Sequence, residues 1–280
     1  MGTTHKLIIG NCMEMPEIPD KSIHLVVTSP PYFNAPFDYK GLFASYEQYL
    51  GVLRNVSKEL FRVMADGRIV VLNIDDMLIN GTKYPIVADA TKLFQEAGFN
   101  YRDRLIWKKP DGYLRISRRS GVLLQNPYPM YFYPDNLLES VIIFQKGKFD
   151  YRSISQEIRE KSKVNIKEFS DKKWYTTLWE MNNVMPGSPL EKNIAAFPTE
   201  LPYRAINLFA YVGETVLDPF AGSGTTMKIA KQLGRNSIGI EIKKSLASII
   251  KKKTGFDGQE TLNGEENKFE VILRKKGWIE

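Results

Sequence analysis

Val216-Leu-Asp-Pro-Phe-Ala-Gly-Ser-Gly-Thr-Thr226 reads as a short buried strand ending in an acid, followed by a Gly-Ser-Gly turn that opens a helix. In open α/β sheets, ligands bind outside the carboxyl ends of strands, where this turn would lie. Gly222 and Gly224 let the backbone approach a ligand without side-chain obstruction. The string is not the dinucleotide fingerprint, because residue 227, three beyond Gly224, is methionine; this disfavours a nicotinamide-dependent dehydrogenase. It is not a phosphate-binding P-loop either, since no Gly-Lys-Ser/Thr follows. Thr225 begins the helix. Glu241 ends the next strand, placed to accept hydrogen bonds from two ribose hydroxyls, and an ionised Asp218 can pair with a ligand ammonium group. S-adenosylmethionine carries a ribose and an ammonium but no phosphate. A plain glycine turn between two ordinary strand-end acids explains a bare Gly-x-Gly, but not the whole string.

Only two candidate strands follow Asp218, residues 237–241 and the edge strand 269–273. A ligand-binding open sheet has about five or six strands. The rest must come from the N-terminal half. Apolar, β-branched runs supply them at 5–11, 23–28, 68–73, 99–108 and 140–145. Helical spacing marks 45–64 (capped by Ser45), 84–97 (closed by Gly98), 200–210, 225–233 and 243–253, and Asp66-Gly67 is expected to turn the chain. This alternation predicts an α/β protein with helices on both faces of a Rossmann-like sheet. The pattern weakens between about 111 and 190, where Pro/Tyr clusters and the mixed-charge, solvated segment 157–173 lie.

The strand at 23–28 stops at Thr28-Ser-Pro-Pro-Tyr32. A base amino group is a poor nucleophile because its lone pair is delocalised into the ring. Acceptors that hold its two N–H groups favour a pyramidal nitrogen. Ser29 Oγ is one such acceptor and the Pro30 carbonyl a second, because a stiff Pro-Pro pair presents carbonyls in fixed positions. Tyr32, with Phe33, offers a stacking face for an extruded base. A proline-rich turn that merely ends a strand is the plainer alternative for these four residues.

The single cysteine, Cys12, excludes an internal disulfide, and with two histidines the chain has no structural zinc site; no metal is expected. Cytosine C5 methylation needs a covalent thiolate. Cys12 precedes Met13 rather than sitting in a Pro-Cys setting and is read as a small buried residue. No apolar run is long enough to span a membrane, the N-terminus is polar, and cysteine usage makes a cytoplasmic setting the default. The net charge is +7. Residues 101–119 hold seven cations against Asp103 and Asp111, with Tyr101, Trp107 and Tyr113 interleaved. Lys109, Arg115, Arg118 and Arg119 are the candidates for DNA contact, against a solvated basic loop as the alternative.

Together, the strings at 28–32 and 216–226 resemble the amino-methyltransferases of bacterial restriction–modification systems, in the circularly permuted β-class order with the catalytic motif first. Ile18 to Tyr32, Leu105-Ile-Trp-Lys108, Leu178-Trp-Glu180, Pro186-Gly-Ser188 and Ala196-Phe-Pro-Thr-Glu-Leu-Pro202 agree with the same pattern. The resemblance implies a catalytic half at 1–110, a target-recognition region carrying part of the core sheet at 111–190, and a cofactor half at 191–280. It implies S-adenosylmethionine as cofactor, bordered by Phe197, Pro198, Asp218, Phe220, Gly222, Gly224, Thr225 and Glu241. Ser29, Pro30 and Tyr32 would sit at the target base. The family usually has Gly-Asp in the first strand–turn, where this chain has Gly10-Asn11, so Asn11 would serve without a charge. Serine at the first catalytic position goes mostly with cytosine N4, aspartate with adenine N6. Duplex DNA is the implied partner; a homodimer and a cognate restriction endonuclease acting at the same site are allowed. Rival readings are an adenine N6 enzyme, an RNA or protein-glutamine methyltransferase, and a non-catalytic DNA-binding protein that keeps the cofactor pocket.

Overall fold

The computed structural model describes residues 2–34, 42–110, 120–132, 134, 136–182, 197–256 and 267–276. The first half contributes β1 (Thr4–Ile9), β2 (Ile23–Thr28), α1 (Tyr46–Val63), β3 (Met64–Ile74), β4 (Met77–Ile79), β5 (Thr82–Tyr84), α2 (Ile86–Glu96) and β6 (Asn100–Lys108). Then come α3 (Ser120–Gln125), β7 (Leu138–Gln145), α4 (Gln156–Lys161), α5 (Ile166–Asp171) and β8 (Leu178–Glu180). The chain closes with α6 (Glu200–Phe209), β9 (Thr215–Asp218), α7 (Thr225–Gln232), β10 (Asn236–Glu241), α8 (Ala247–Lys253) and β11 (Lys268–Leu273).

Among the described residues, nine strands form one sheet in the order β11-β1-β10-β9-β2-β3-β7-β6-β8. Six of its pairings are parallel, and β7 runs antiparallel to both β3 and β6. Alternate residues of one strand point to opposite faces. Val26, Val70 and Leu72 therefore pack with Leu53, Val56 and Leu60 of α1 and Leu93 of α2. Leu25, Val27, Ile69 and Val71 pack with Leu201, Ala205 and Ile206 of α6 and Ile229 of α7. Apolar cores on both faces follow from that period of two, with a third cluster of Leu7, Ile9, Met227, Leu246 and Ile250 beside β1.

Local chemistry sets the element ends. Ser45 caps α1 by accepting from the Gln48 amide at 3.1 Å, while Gln48 Oε1 accepts from the Ala44 amide at 2.6 Å, a reciprocal cap. Asp66-Gly67 does not turn the chain. β3 starts at Met64, directly after α1, and Gly67, at φ +81°, sits in a bulge where the register with β2 slips between Ile23 and Leu25. The sequence reading also passed over the β4–β5 hairpin, although Asn80 (φ +49°) and Gly81 (φ +83°) are the residue pair a two-residue hairpin loop demands. The mixed-charge stretch forms α4 and α5, whose exposed faces carry the pairs Lys161–Glu157, Lys167–Asp171 and Lys172–Glu168. No described helix is long and apolar enough to cross a membrane.

β2 lies between β9 and β3, and β10 lies between β9 and β1. The turns that leave β1, β2, β9 and β10 therefore meet at one edge of the sheet, although β2 and β9 are far apart in the chain.

Candidate active site

Those four turns enclose a cavity of about 260 Å³. Its wall includes Asn11, Ser29, Pro30 and Tyr32 together with Phe220, Gly222 and Glu241. Leu42, Phe43, Val52, Ile240 and Ile242 make much of the rest, and Glu241 is the one charged residue among the described residues that line it.

Glu241 is almost fully buried, and its carboxylate is oriented by backbone donors: the Gly222 amide reaches Oε2 at 2.8 Å and the Lys243 amide reaches Oε1 at 2.8 Å. Gly222 itself adopts φ +53°. Asn11 closes a local turn by accepting the Met13 amide on Oδ1 at 2.9 Å. Arg274, just beyond β11, pins the same turn. Its guanidinium donates to the Asn11 and Glu14 carbonyls and pairs with Glu17, holding that carboxyl below its usual range. Cys12 also lines the cavity, buried, and burial pushes its thiol up to about 12. It is not a thiolate near neutral pH, as the reading of a small buried residue requires.

Asp218 is not on the cavity wall. The acid expected to meet a ligand ammonium is 1% exposed and faces its neighbours instead. Thr28 Oγ1 donates to it at 2.7 Å, Thr226 Oγ1 at 2.8 Å and the Phe220 amide at 3.1 Å. Burial nevertheless raises its pKa to about 6, with these donors acting in the opposite sense. Its place is the seam between β2 and β9.

Four other expected cofactor neighbours also lie off this wall. Gly224 is the N-cap of α7 at φ +83°, and an added Cβ there would come 2.9 Å from Ile250 Cγ2, so close packing of α8 accounts for the glycine. Thr225 Oγ1 receives Lys253 Nζ at 2.7 Å. Phe197 packs against the core beside α6, and Pro198 lines a separate cleft with Lys172, Thr176 and Arg204. Phe33, expected to help stack a base, is buried edge-on against Tyr46 and Tyr84.

The Ser-Pro-Pro-Tyr turn has partners that the sequence reading missed. The Tyr32 hydroxyl donates to Glu139 Oε2 at 2.7 Å. Asn73 Nδ2 donates to the same oxygen at 2.7 Å and lies 3.4 Å from Ser29 Oγ. Burial, with the negative charge of Glu139, raises the Tyr32 phenol well above its ordinary value. Lys109 was expected on DNA. It turns inward instead, its Nζ 2.7 Å from Glu139 Oε1 and both side chains largely buried. The available hint was an acid, Glu139, beside Ser140 at the start of a strand that continues as the apolar run 141–144. Arg115, Arg118 and Arg119 lie outside the described residues. Arg102 and Arg104 are exposed on β6.

The comparisons with known proteins agree with this architecture. The DNA methylase family N6_N4_Mtase matches residues 23–252. The chain is 35% identical to the type II methyltransferase M.MjaI of Methanocaldococcus jannaschii over 91% of its own length and 92% of the relative's. It is 31% identical to the type II methyltransferase M.MthZI of Methanothermobacter thermautotrophicus, with 98% and 81% covered. The fold matches that of TTHA0409 from Thermus thermophilus, solved in complex with S-adenosyl-L-methionine, with a TM-score of 0.73, 29% identity, and 96% and 99% of the two chains covered. With a cavity that joins the Ser-Pro-Pro-Tyr turn to the Gly-Ser-Gly turn and a family match over most of its length, this chain belongs to the DNA methylase family of amino-methyltransferases.

Proposed function

We propose that the chain transfers a methyl group from S-adenosylmethionine to cytosine N4 of a base flipped out of duplex DNA. The observation that carries this reading is the single cavity on which Ser29, Pro30 and Tyr32 meet Phe220, Gly222 and Glu241.

The wall fits the cofactor's chemistry. The described residues that line it offer no lysine or arginine for a phosphate, one carboxylate for ribose hydroxyls, and a glycine and apolar side chains for a nucleoside. Its net negative character suits a cationic ligand. TTHA0409, which matches over nearly its whole length, binds S-adenosyl-L-methionine in its solved complex. Glu241 would hold the ribose, with Phe220 and Gly222 beside it. The contribution of Asn11 would be to shape the turn that closes the cavity. When bound, the cofactor supplies a methyl group on a strongly leaving sulfonium.

The chain's own residues then have to position the acceptor. Ser29 Oγ and the Pro30 carbonyl hold the two N–H groups of the amine, and the ring of Tyr32 supports the base. The buried, protonated Cys12 gives no nucleophile for attack on a ring carbon. The amine can lose its proton after transfer, so the chemistry does not require a strong general base. Cytosine is preferred to adenine on the serine at position 29. Duplex DNA as the partner is supported by the family and by the exposed Arg102 and Arg104 leading towards residues 111–119. Division into a catalytic half (1–110), a recognition region (111–190) and a cofactor half (191–280), in permuted order, forms part of the proposal, as does a restriction endonuclease acting at the same site.

Transfer of tritiated methyl from S-adenosylmethionine to duplex DNA, RNA and protein tests the reading. Label is expected in duplex DNA, and nucleoside analysis of the product is expected to give N4-methylcytosine. N6-methyladenine would correct the base. Label only in RNA or protein, or none, would overturn the assignment.

A further inference from the structure

We propose that Glu139 is the positioning residue of the Ser-Pro-Pro-Tyr turn, fixing the direction of the hydrogen bonds that leave Ser29 Oγ open as an acceptor; this rests on the methyl-transfer reading above.

Glu139 is the second residue of β7, and its side chain is 11% exposed. It joins three separate segments. Oε2 accepts from Tyr32, in the turn after β2, and from Asn73, on β3. Oε1 pairs with Lys109, just past the end of β6. A carboxylate accepts and cannot donate, so it decides which way each partner faces. The Tyr32 phenol keeps its proton, and that proton is directed to Glu139.

Asn73 shows that this orientation is imposed. An amide can present either its oxygen or its nitrogen. Glu139 requires the nitrogen, which also faces Ser29 Oγ at 3.4 Å. Asn73 Oδ1 is left buried with no hydrogen-bond partner. Such an orphan is unfavourable, because a buried acceptor has given up water without gaining a partner. Flipping the amide to relieve it would set two acceptors against each other at Glu139 and invite the Ser29 hydroxyl to donate to Asn73. With Asn73 facing Ser29 as a donor, the serine proton is directed away from Asn73. A lone pair on Oγ remains for an N–H of the target amine.

The isosteric variant Glu139→Gln tests this, because an amide has a single acceptor oxygen: either the side facing Tyr32 and Asn73 or the side facing Lys109 then presents N–H where the carboxylate accepts. Methyl transfer to unmethylated duplex DNA, S-adenosylmethionine affinity by calorimetry and Tm would be measured for wild type, E139Q, E139A, Y32F and E139Q/Y32F. We expect kcat of E139Q and E139A to fall about 10- to 100-fold, with cofactor affinity and KM for DNA within about threefold of wild type. Adding Y32F to E139Q should lower kcat no further, since both remove the same orientation. The inference is overturned if E139Q keeps wild-type kcat, if the loss lies in KM or cofactor affinity, or if the two losses multiply. A wild-type protein with no transfer to DNA would overturn the underlying reading and this inference with it.

Discussion

Thr28 Oγ1 donates to Asp218 Oδ1 at 2.7 Å, joining the last residue of β2 to the last residue of β9. The turn after each strand carries one half of the site. The bond therefore sets the distance between the Ser-Pro-Pro-Tyr and Gly-Ser-Gly turns from behind the cavity.

Thr28→Val keeps the shape of this seam and removes the donor. Asp218 would retain Thr226 and the Phe220 amide but lose its strand-to-strand link. Stability is expected to fall by about 1–3 kcal/mol, measured by urea unfolding. A variant as stable as wild type would show that the link has no energetic weight.

Asp218 also predicts a pH dependence. Its folded pKa, about 6, lies above the reference value of 3.8, so the native state holds this proton more tightly than the unfolded chain. Its stabilising contribution is fully present below about pH 4 and is lost as pH rises through about 6. Asp218→Asn removes the titration. The stability of the variant relative to wild type should rise by about 3 kcal/mol between pH 4 and pH 7. A difference that stays flat across that window, in paired thermal unfolding, would count against a buried ionising group there.

Glu241→Gln replaces one acceptor oxygen with a donor facing either the Gly222 or the Lys243 amide. Both the shape of the turn and the capacity to take ribose hydroxyls suffer. Calorimetric titration with S-adenosylmethionine should show affinity reduced about 10- to 100-fold. Equal affinity would remove Glu241 from the cofactor site.

Ser29→Ala and Cys12→Ala should separate two residues that line the same cavity. Ser29→Ala is expected to lower the transfer rate roughly 10- to 100-fold while cofactor affinity stays near normal. Cys12→Ala should leave the rate within about threefold, because a thiol with a pKa near 12 offers no nucleophile. Single-turnover transfer measures both. An unchanged rate in Ser29→Ala would exclude Ser29 from the mechanism.

The α/β alternation and the two turns that line the cavity were legible because they rest on patterns a strand carries in itself: period, length and the residues that end it. The orientation of a strand-end side chain is not such a pattern. Glu241 and Asp218 look equivalent in sequence, yet one faces the cavity and the other its neighbouring strand. The difference arises from which strands are adjacent. Lys109 misled for a similar reason: a lysine in a basic run reads as solvated until β7 brings Glu139 alongside. At Asp66-Gly67, the same left-handed glycine serves a bulge as readily as a turn, and only the partner strand distinguishes them. Gly224 is required both by its left-handed φ of +83° and by the approach of Ile250, which is remote in sequence.

The sheet order has a consequence for synthesis. β1 leaves the ribosome long before both of its neighbours, β10 and β11. Until those are made, β1 has two open edges and the nascent polypeptide holds an unfinished sheet, the kind of intermediate that invites aggregation and folds slowly. A fragment made only as far as β8 carries the Ser-Pro-Pro-Tyr turn without the wall of Gly222 and Glu241 opposite it, so the cavity is complete only once β10 has been made.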